Sequence, residues 1–514
     1  AMDRLTTAAA FIRTAVLALD DAAMARAYQA ADGPADYRNY LDNLRRRRAR
    51  ILDADGERVL QLMGDNLWAE IDLNELPANP EDTFNALLSD IQWPTVHDET
   101  GKEVQLTLSN YVRFRLSPNR EVRAEAVSAF FSTLRRFQHA FAATLSGQFE
   151  LDVQFARARG YDTALHAYMD KDNIDTAVYH NLIRAVNANL EPLHRYVALR
   201  KKVLGYEDLH LYDLYIPIAQ AVEAKVPFAE AVRVIPQALE PLGADYGKVL
   251  AEGLDPANGW LDLYPSNDKE SGAFSASVYG RHPYVKMNYQ DTMDDMSTLA
   301  HEYGHALHSY LSMKTQPYQN YRYVPFLAEV ASTCNEALLS DYLIRNAKSK
   351  EEKIGLLVAD LETIRTTIYR QTLFAEFELL VHGFVEEGTP ITPALLDETY
   401  RGLVQRYYGP GFTLDENDGM EWSYVGHFYY KYYMYSYATG LSSGIAIAER
   451  VKQMGEPAVR DYLAMLGGGC SKPPVELLKG GGVDLTTPAA VEAALGRFDR
   501  TLTELAGLLG VALD

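Results

Sequence analysis

The 514-residue sequence contains only two cysteines, Cys334 and Cys470. They cannot form the disulfide framework that supports small secreted domains, so the fold must depend on a packed core, in which Cys334 is expected to pack rather than act as a nucleophile. The sequence also lacks any apolar run near the roughly 18 residues of a membrane-spanning helix. Its first twenty residues carry acidic and basic side chains, which predict an amphipathic helix rather than a signal peptide. We therefore expect a cytoplasmic protein that binds no membrane.

The sequence has fewer basic than acidic residues. The chain has 49 Lys and Arg residues against 70 Asp and Glu residues, a net charge of −21, which disfavours nucleic acid and anionic membranes as partners. The basic run at 45–48, with Arg50, follows a helical pattern and predicts a solvated helix face rather than a binding tail. The sequence shows no sign of an obligatory protein partner.

The most informative segment is His301-Glu-Tyr-Gly-His305. On an α-helix, residues four apart lie on one face, so both imidazoles can reach a single metal ion. Glu302 is turned about 100° from His301, beside the metal position, where it can accept a proton from the attacking water. This pattern indicates a hydrolytic zinc site; the simpler interpretation is a solvated helical turn.

The surrounding sequence favours the metal interpretation. Apolar residues within 292–311 recur at spacings of three and four, which predicts an amphipathic helix with the motif off its apolar stripe. Asp291 is the candidate N-cap of this helix. The motif is therefore expected on a helix, as the chemistry requires.

A catalytic zinc needs a third protein ligand and an open fourth position. One zinc-peptidase continuation needs glycine and histidine where this chain has His308 and Leu311, so a packing or supporting role is expected for His308. Glu329 is the better candidate, because it lies in the helical segment 326–336 on the same face as Glu336, which could orient a ligand histidine. A solvated helix carboxylate is equally compatible with the spacing of Glu329.

These residues resemble a known family. Zinc peptidases of the thimet oligopeptidase and oligoendopeptidase F family combine a His-Glu-Phe/Tyr-Gly-His-x-x-His helix with a Glu-x-x-Ser helix about two dozen residues later; here these are 301–308 and 329–332. The similarity to oligoendopeptidase F continues in the family's order from about residue 80 to the end. Further similar stretches are Ala142–Gly147, Leu209–Tyr215, Gly272–Ser275, Val285–Thr292, His427–Tyr430, Tyr435–Gly440 and Leu477–Asp484.

Periodicity and the resemblance together predict the organisation. Helical spacing dominates, whereas between about 255 and 290 glycine, serine and aromatic residues increase and 285–289 alternates as a strand does. The resemblance implies a mainly α, two-lobed zincin-type metallopeptidase with a deep substrate channel and a small β-ribbon beside the active-site helix. We expect an N-terminal helical lobe over 1–205, whose front segment is shorter than in family members. A catalytic lobe is expected over 206–514, with the β-ribbon at about 255–290, metal helices over 291–345 and a C-terminal helical region.

Hydrolysis also needs a donor for the oxyanion, opposite the metal. The segment 424–437 contains one histidine and seven tyrosines, most of which an aromatic core stripe would explain. The family uses one histidine and tyrosines spaced seven apart on a helix, which His427, Tyr430 and Tyr437 match best. The alternatives are Tyr429 and Tyr435.

The predicted function is zinc-dependent hydrolysis of internal bonds in short, unfolded oligopeptides. One Zn²⁺ per chain would be held by His301, His305 and Glu329, with Glu302 as general base. A helical zinc carboxypeptidase or dipeptidase that trims peptide termini is the main alternative. A non-catalytic peptide-binding module is the second, against which the glutamate beside both histidines argues.

Overall fold

The structure is a computed structural model that describes residues 15–30, 33–63, 79–219 and 225–513. α-Helices form most of this part of the chain, and the strands are short, which confirms the prediction of a mainly α fold with a small β-ribbon. The helices are Asp21–Gln29, Arg38–Arg46, Ala54–Leu62, Asn79–Asp90, Leu108–Arg115, Arg120–Arg135, Gln138–Ala158, Ala164–Lys171, Ala177–Ala188, Glu191–Leu204, Phe228–Ala238, Ala244–Leu254, Met293–Thr315, Pro325–Arg345, Lys350–Ile364, Arg370–Glu387, Pro393–Tyr408, Tyr435–Met454, Glu456–Leu466, Pro474–Gly480 and Ala489–Leu509.

The motif helix, Met293–Thr315, carries the His-Glu-x-x-His pattern. It begins with a capping box in which the Thr292 side chain accepts the Asp295 N–H and the Asp295 carboxylate accepts the Thr292 N–H, each at 3.0 Å. The predicted N-cap, Asp291, is wrong: it lies outside the helix with φ +62°. Two reciprocal hydrogen bonds at Thr292 satisfy more of the free N–H groups than a single aspartate could.

Two further helices position the site: one lies against the motif helix, and the other lies against the far side of that second helix. The carboxylate helix is Pro325–Arg345, and the tyrosine helix is Tyr435–Met454. A Cβ on Gly304 would lie 2.4 Å from the Ser332 Cα, so the motif helix contacts the carboxylate helix through bare backbone. On the other side, a Cβ on Gly440 would lie 2.7 Å from the Glu329 Cβ. Glycine on both sides therefore lets three helices approach more closely than side chains would allow.

The predicted β-ribbon is a three-stranded sheet. Its strands are β3 (Leu261–Asp262), β4 (Phe274–Ala276) and β5 (Tyr284–Lys286), in the order β3-β5-β4, with β4 antiparallel and β3 parallel to β5. The strand expected at 285–289 is thus the central β5, and β4 is the edge strand beside it. A separate hairpin of β1 (Thr95–His97) and β2 (Glu103–Gln105) lies in a region that was predicted to be mostly helical.

The arginine run forms the predicted solvated face only at Arg46 and Arg48, which are exposed. Arg45 and Arg47 are buried, and Arg45 donates to the Val16 carbonyl oxygen at 2.9 Å. Asp21 pairs with both Arg45 and Arg48 at 2.8 Å. Charge alone could not reveal this, because the partners come from a neighbouring helix that packs against the run.

The division into lobes at residue 205 and the substrate channel stay predictions. Among the residues described, every helix is too short or too polar to cross a lipid bilayer. Neither cysteine forms a disulfide bond within the described residues, and burial raises the pKa of the Cys334 thiol to about 12, so Cys334 is an inert packing residue as expected.

We predict that Gly304→Ala weakens the fold, because its Cβ would overlap the backbone of the carboxylate helix. The free energy of unfolding in denaturant should fall by about 1–3 kcal/mol, the usual cost of overpacking. Gly402→Ala is the matched control, since Gly402 is also helical but its added Cβ would have no atom of the described residues within 4 Å; it should gain roughly 0.5–1 kcal/mol. Equal stability of the two variants would contradict the close helix contact.

Candidate metal centre and active site

The three predicted ligands meet at one point. The Nε2 atoms of His301 and His305 are 3.1 Å apart, and Glu329 Oε2 lies 3.5 Å from the first and 3.8 Å from the second. Two donors bound tetrahedrally to one zinc ion are about 3.3 Å apart, given bonds of about 2.0–2.1 Å. Within the described residues, no other group of three His, Cys, Asp or Glu side chains is close enough to hold a metal ion. The donor set and its spacing therefore fit a zinc-like cation.

Each ligand also has a further contact that helps to fix it, and for Glu329 this contact is on Oε2, the oxygen that faces the histidines. Glu336 Oε2 lies 3.3 Å from His301 Nδ1, so the other ring nitrogen, Nε2, faces the site. His305 forms a hydrogen bond with the backbone of Ala328. The Ser332 hydroxyl donates to Glu329 Oε2 at 3.1 Å. Such outer contacts fix the orientation of the ligands and the tautomers of the two histidines.

The two histidines titrate in opposite directions. Burial favours the neutral form of His301, but hydrogen bonding to Glu336 and the charges of Glu336 and Glu329 outweigh it and raise its pKa to about 9. Burial lowers the pKa of His305 to about 4. At neutral pH, a protonated His301 can therefore donate from Nε2 to the neutral His305 across the 3.1 Å gap. A cation entering the site must displace that proton.

Glu302 lies beside the ligands but is not one of them. Its side chain is buried, and Oε2 has no hydrogen-bond partner among the residues described. Burial raises the pKa of its carboxyl to about 7, opposed by the charge of His301 and reinforced by Glu329 and Glu336. A carboxyl with an unpartnered oxygen and a pKa near neutrality is suited to accept and return a proton.

His308 lies outside the ligand group. It is fully buried, burial lowers its pKa to about 3, and its ring stacks on Tyr323 with 3.6 Å between centroids. The Tyr323 hydroxyl is 2.8 Å from the Ser309 hydroxyl. A neutral, stacked imidazole agrees with the packing role expected for His308.

A histidine–tyrosine cluster lies on the other side of Glu329. The Tyr437 hydroxyl is 3.3 Å from His427 Nε2 and forms a hydrogen bond with the Tyr433 hydroxyl. Burial, and then the neighbouring Tyr433 and the charge of Glu329, raise the pKa of Tyr437. Burial also lowers the pKa of His427. At neutral pH the cluster therefore offers protonated phenols and a neutral imidazole beside the ligand carboxylate.

The remaining tyrosines separate into two environments. The Tyr430 ring lies 5.5 Å from the His427 ring, edge to face, but Tyr430 precedes the tyrosine helix, so the expected pair on one helix is wrong. The two alternatives belong to the core: Tyr429 stacks on Phe84, and Tyr435 is buried against neighbouring rings. Tyr433 was missed, and because it also precedes the tyrosine helix, helical spacing gave no signal that could have identified it.

Comparison with known proteins gives the chain a family. The model of peptidase family M3 matches residues 113–497, and a second model, described as oligopeptidase F, matches residues 16–67. The chain is 40% identical to Oligopeptidase PepF of Bacillus subtilis over 474 residues, which cover 92% of this chain and 69% of that protein. It is 37% identical to an oligoendopeptidase F homolog of Borreliella burgdorferi over 401 residues, 78% of this chain and 68% of the homolog.

A solved structure agrees with these sequence matches. The crystal structure of oligoendopeptidase-F from Enterococcus faecium has a TM-score of 0.80 and 32% identity to this chain, and the match covers 97% of this chain and 82% of that one. The resemblance to oligoendopeptidase F and the prediction of a metalloendopeptidase are thereby confirmed. The chain belongs to peptidase family M3.

Proposed function

We propose that this protein is a zinc-dependent endopeptidase that hydrolyses internal bonds of short, unfolded oligopeptides. The convergence of His301, His305 and Glu329 beside a buried Glu302 is the observation that carries the proposal. His₂Glu ligand sets with an adjacent glutamate are typical of hydrolytic zinc enzymes. The names of the relatives, oligopeptidase and oligoendopeptidase, support the same class of substrate. The cytoplasmic location stays a prediction from the sequence.

His301, His305 and Glu329 would hold one zinc ion, which when bound supplies Lewis-acid activation of water and of the scissile carbonyl. Glu302 accepts the proton of the attacking water on its unpartnered Oε2 and returns it to the leaving amine. Glu336 keeps His301 in the tautomer that leaves Nε2 free for the ion.

Tyr437 is proposed as the main donor to the oxyanion. Its raised pKa keeps the phenol protonated, and its contacts with Tyr433 and His427 fix the direction of the hydroxyl. A fixed donor stabilises the developing charge without reorganising at the moment of reaction. His427 and Tyr430 stand beside it as the second donors proposed from the sequence.

Strand β4 supports cleavage at internal bonds. It is an edge strand of the sheet, and Phe274 on it is 52% exposed. An extended peptide can add to a strand edge through main-chain hydrogen bonds, which involve neither terminus of the peptide. A carboxypeptidase or dipeptidase would instead need to recognise a terminal charge.

A peptide blocked at both ends tests this function. The zinc-loaded enzyme should cut it internally, because endopeptidase chemistry does not require a free terminus. Glu302→Gln should retain zinc and lose about two to four orders of magnitude in kcat, since it removes the general base. Glu329→Ala should lose zinc and activity together. Cleavage of unblocked peptides alone would favour the terminal-trimming alternative, and an active Glu302→Gln variant would exclude this glutamate as the base.

We expect Tyr437→Phe to lower kcat by about 10²–10³-fold with little change in KM, because the hydroxyl is needed mainly in the transition state. Tyr435→Phe is the matched control: it removes a hydroxyl from a buried core ring two residues away and should leave kcat unchanged. Steady-state kinetics of both variants measure the difference. Equal kcat values would mean that the oxyanion donor is another residue.

Zinc affinity should depend on pH through His301. Its pKa of about 9 in the metal-free protein means that zinc must displace a proton at neutral pH. Apparent affinity should therefore rise about tenfold per pH unit between pH 6 and pH 8 and level off near pH 9. Calorimetry at pH 7 in buffers of different ionisation enthalpy should report the release of about one proton.

Glu336→Gln is the control for this measurement. It removes the carboxylate that raises the pKa of His301, so fewer protons should be released at pH 7. Proton release that is the same in both proteins would show that His301 is not the group displaced.

A further inference from the structure

Two consecutive residues just before the tyrosine helix have left-handed backbone conformations. Lys431 has φ +48° and Tyr432 has φ +60°, and neither is a glycine. L-residues rarely adopt this region, and a pair in sequence persists only where the surroundings hold it. The turn lies directly before Tyr433, which is hydrogen-bonded to the proposed donor Tyr437. Its conformation therefore decides where Tyr433 lies.

A buried carboxyl group holds this turn. Glu378, on the helix Arg370–Glu387, is fully buried, and its Oε1 accepts the backbone N–H of Tyr432 at 2.5 Å. Its Oε2 is also buried and has no hydrogen-bond partner among the described residues. Burying an ionisable group with one oxygen unpaired is unfavourable. An apolar side chain would fill this position at lower cost unless the bond to Tyr432 were required.

The ring of Tyr432 is held as well as its backbone. His382, one turn after Glu378, stacks on Tyr432 with 4.5 Å between centroids and has Phe149 stacked on its other face at 3.9 Å. His382 Nδ1 is 2.9 Å from the Glu378 carbonyl oxygen, and its Nε2 is 3.3 Å from the buried Asp152. The helix Arg370–Glu387 thus fixes Tyr432 at two points.

We propose that Glu378 is a positioning residue for catalysis: its bond to the Tyr432 N–H fixes the strained turn that directs Tyr433, and through it Tyr437, toward the site. This rests on the proposed role of Tyr437 as oxyanion donor. Glu378 itself touches neither substrate nor reacting atoms. It acts through the backbone, so its effect should fall on the transition state rather than on substrate binding.

The environment of Glu378 supplies a conservative variant. Burial raises the pKa of its carboxyl well above the usual range, which favours the neutral form. Glutamine has the same length and the same carbonyl acceptor, and Glu378→Gln should hold the turn. Glu378→Leu fills similar space but cannot accept the Tyr432 N–H.

The experiment compares these variants as zinc-loaded enzymes, well below their melting temperatures. Glu378→Gln should keep wild-type kcat and KM to within about twofold. Glu378→Leu should lose about 10- to 100-fold in kcat with KM unchanged, the loss expected when a catalytic group is misplaced by about 1 Å. Affinity for a phosphinic peptide, which mimics the tetrahedral intermediate, should fall by the same factor. If the leucine variant does not fold, Glu378→Met replaces it.

A double-mutant cycle with Tyr437→Phe separates positioning from loss of stability. If Glu378 acts through Tyr437, Glu378→Leu should lower kcat by less than about twofold once Tyr437→Phe is present. Leu373→Ala is the control, because it removes a buried side chain from the same helix. It should lower the melting temperature and leave kcat unchanged.

The outcomes separate the two proposals. Wild-type kcat in Glu378→Leu, or an equal loss in Glu378→Gln, would overturn the positioning role of Glu378. Additive losses in the double variant would overturn it too, since they would indicate a general effect on the fold. Full activity of Tyr437→Phe would contradict the proposed oxyanion donor and, with it, the positioning role of Glu378. In that case, loss of activity in Glu302→Gln would still support the proposed hydrolysis.

Discussion

The whole site depends on three helices approaching without side chains between them. The carboxylate helix lies between the motif helix, which contacts it at Gly304, and the tyrosine helix, which contacts it at Gly440 and Gly444. A Cβ on Gly444 would lie 2.2 Å from the Thr333 hydroxyl oxygen, so this contact is as tight as the others. Because of this spacing, Glu329 reaches the two histidines on one side and lies close to the tyrosines on the other. If these helices were further apart, the ligands and the tyrosines would each keep their local structure but would be too distant from one another to form one site.

The same packing sets the electrostatics. Burial keeps His305 neutral, raises the pKa of Glu302 toward neutrality and keeps Tyr437 protonated. His301 is the exception, because Glu336 and Glu329 together stabilise its charged form more than burial disfavours it. The metal-free site thus balances an excess of carboxylates with one imidazolium. The same buried environment therefore gives the ligand histidines, the general base and the oxyanion donor different protonation states.

Local chemistry explains which predictions were accurate. The helical spacing of the motif places His301 and His305 on one face whatever surrounds them, and the same holds for Glu329 and Glu336 on their helix. Predictions that needed partners from elsewhere in the chain were less accurate. Arg45 and Arg47 of the arginine run are buried instead of solvated, and the N-cap is Thr292 instead of Asp291 because Asp295 completes a capping box. Tyr430 lies outside the helix because a strained turn intervenes.

The sequence by itself determined the helical class and the two histidine ligands through residue type and spacing along single helices, and its similarity to relatives over most of its length showed the family. Only the tertiary structure decided that Glu329 reaches the histidines, that Tyr433 joins Tyr437, and that Glu378 holds the turn before them. The contact of Glu329 joins two helices, whereas the other two contacts join a helix to the turn before the tyrosine helix. The distances between these residues depend on how closely the backbones pack. They also depend on which buried polar groups keep only one hydrogen-bond partner. Neither property can be inferred from a single segment of the sequence.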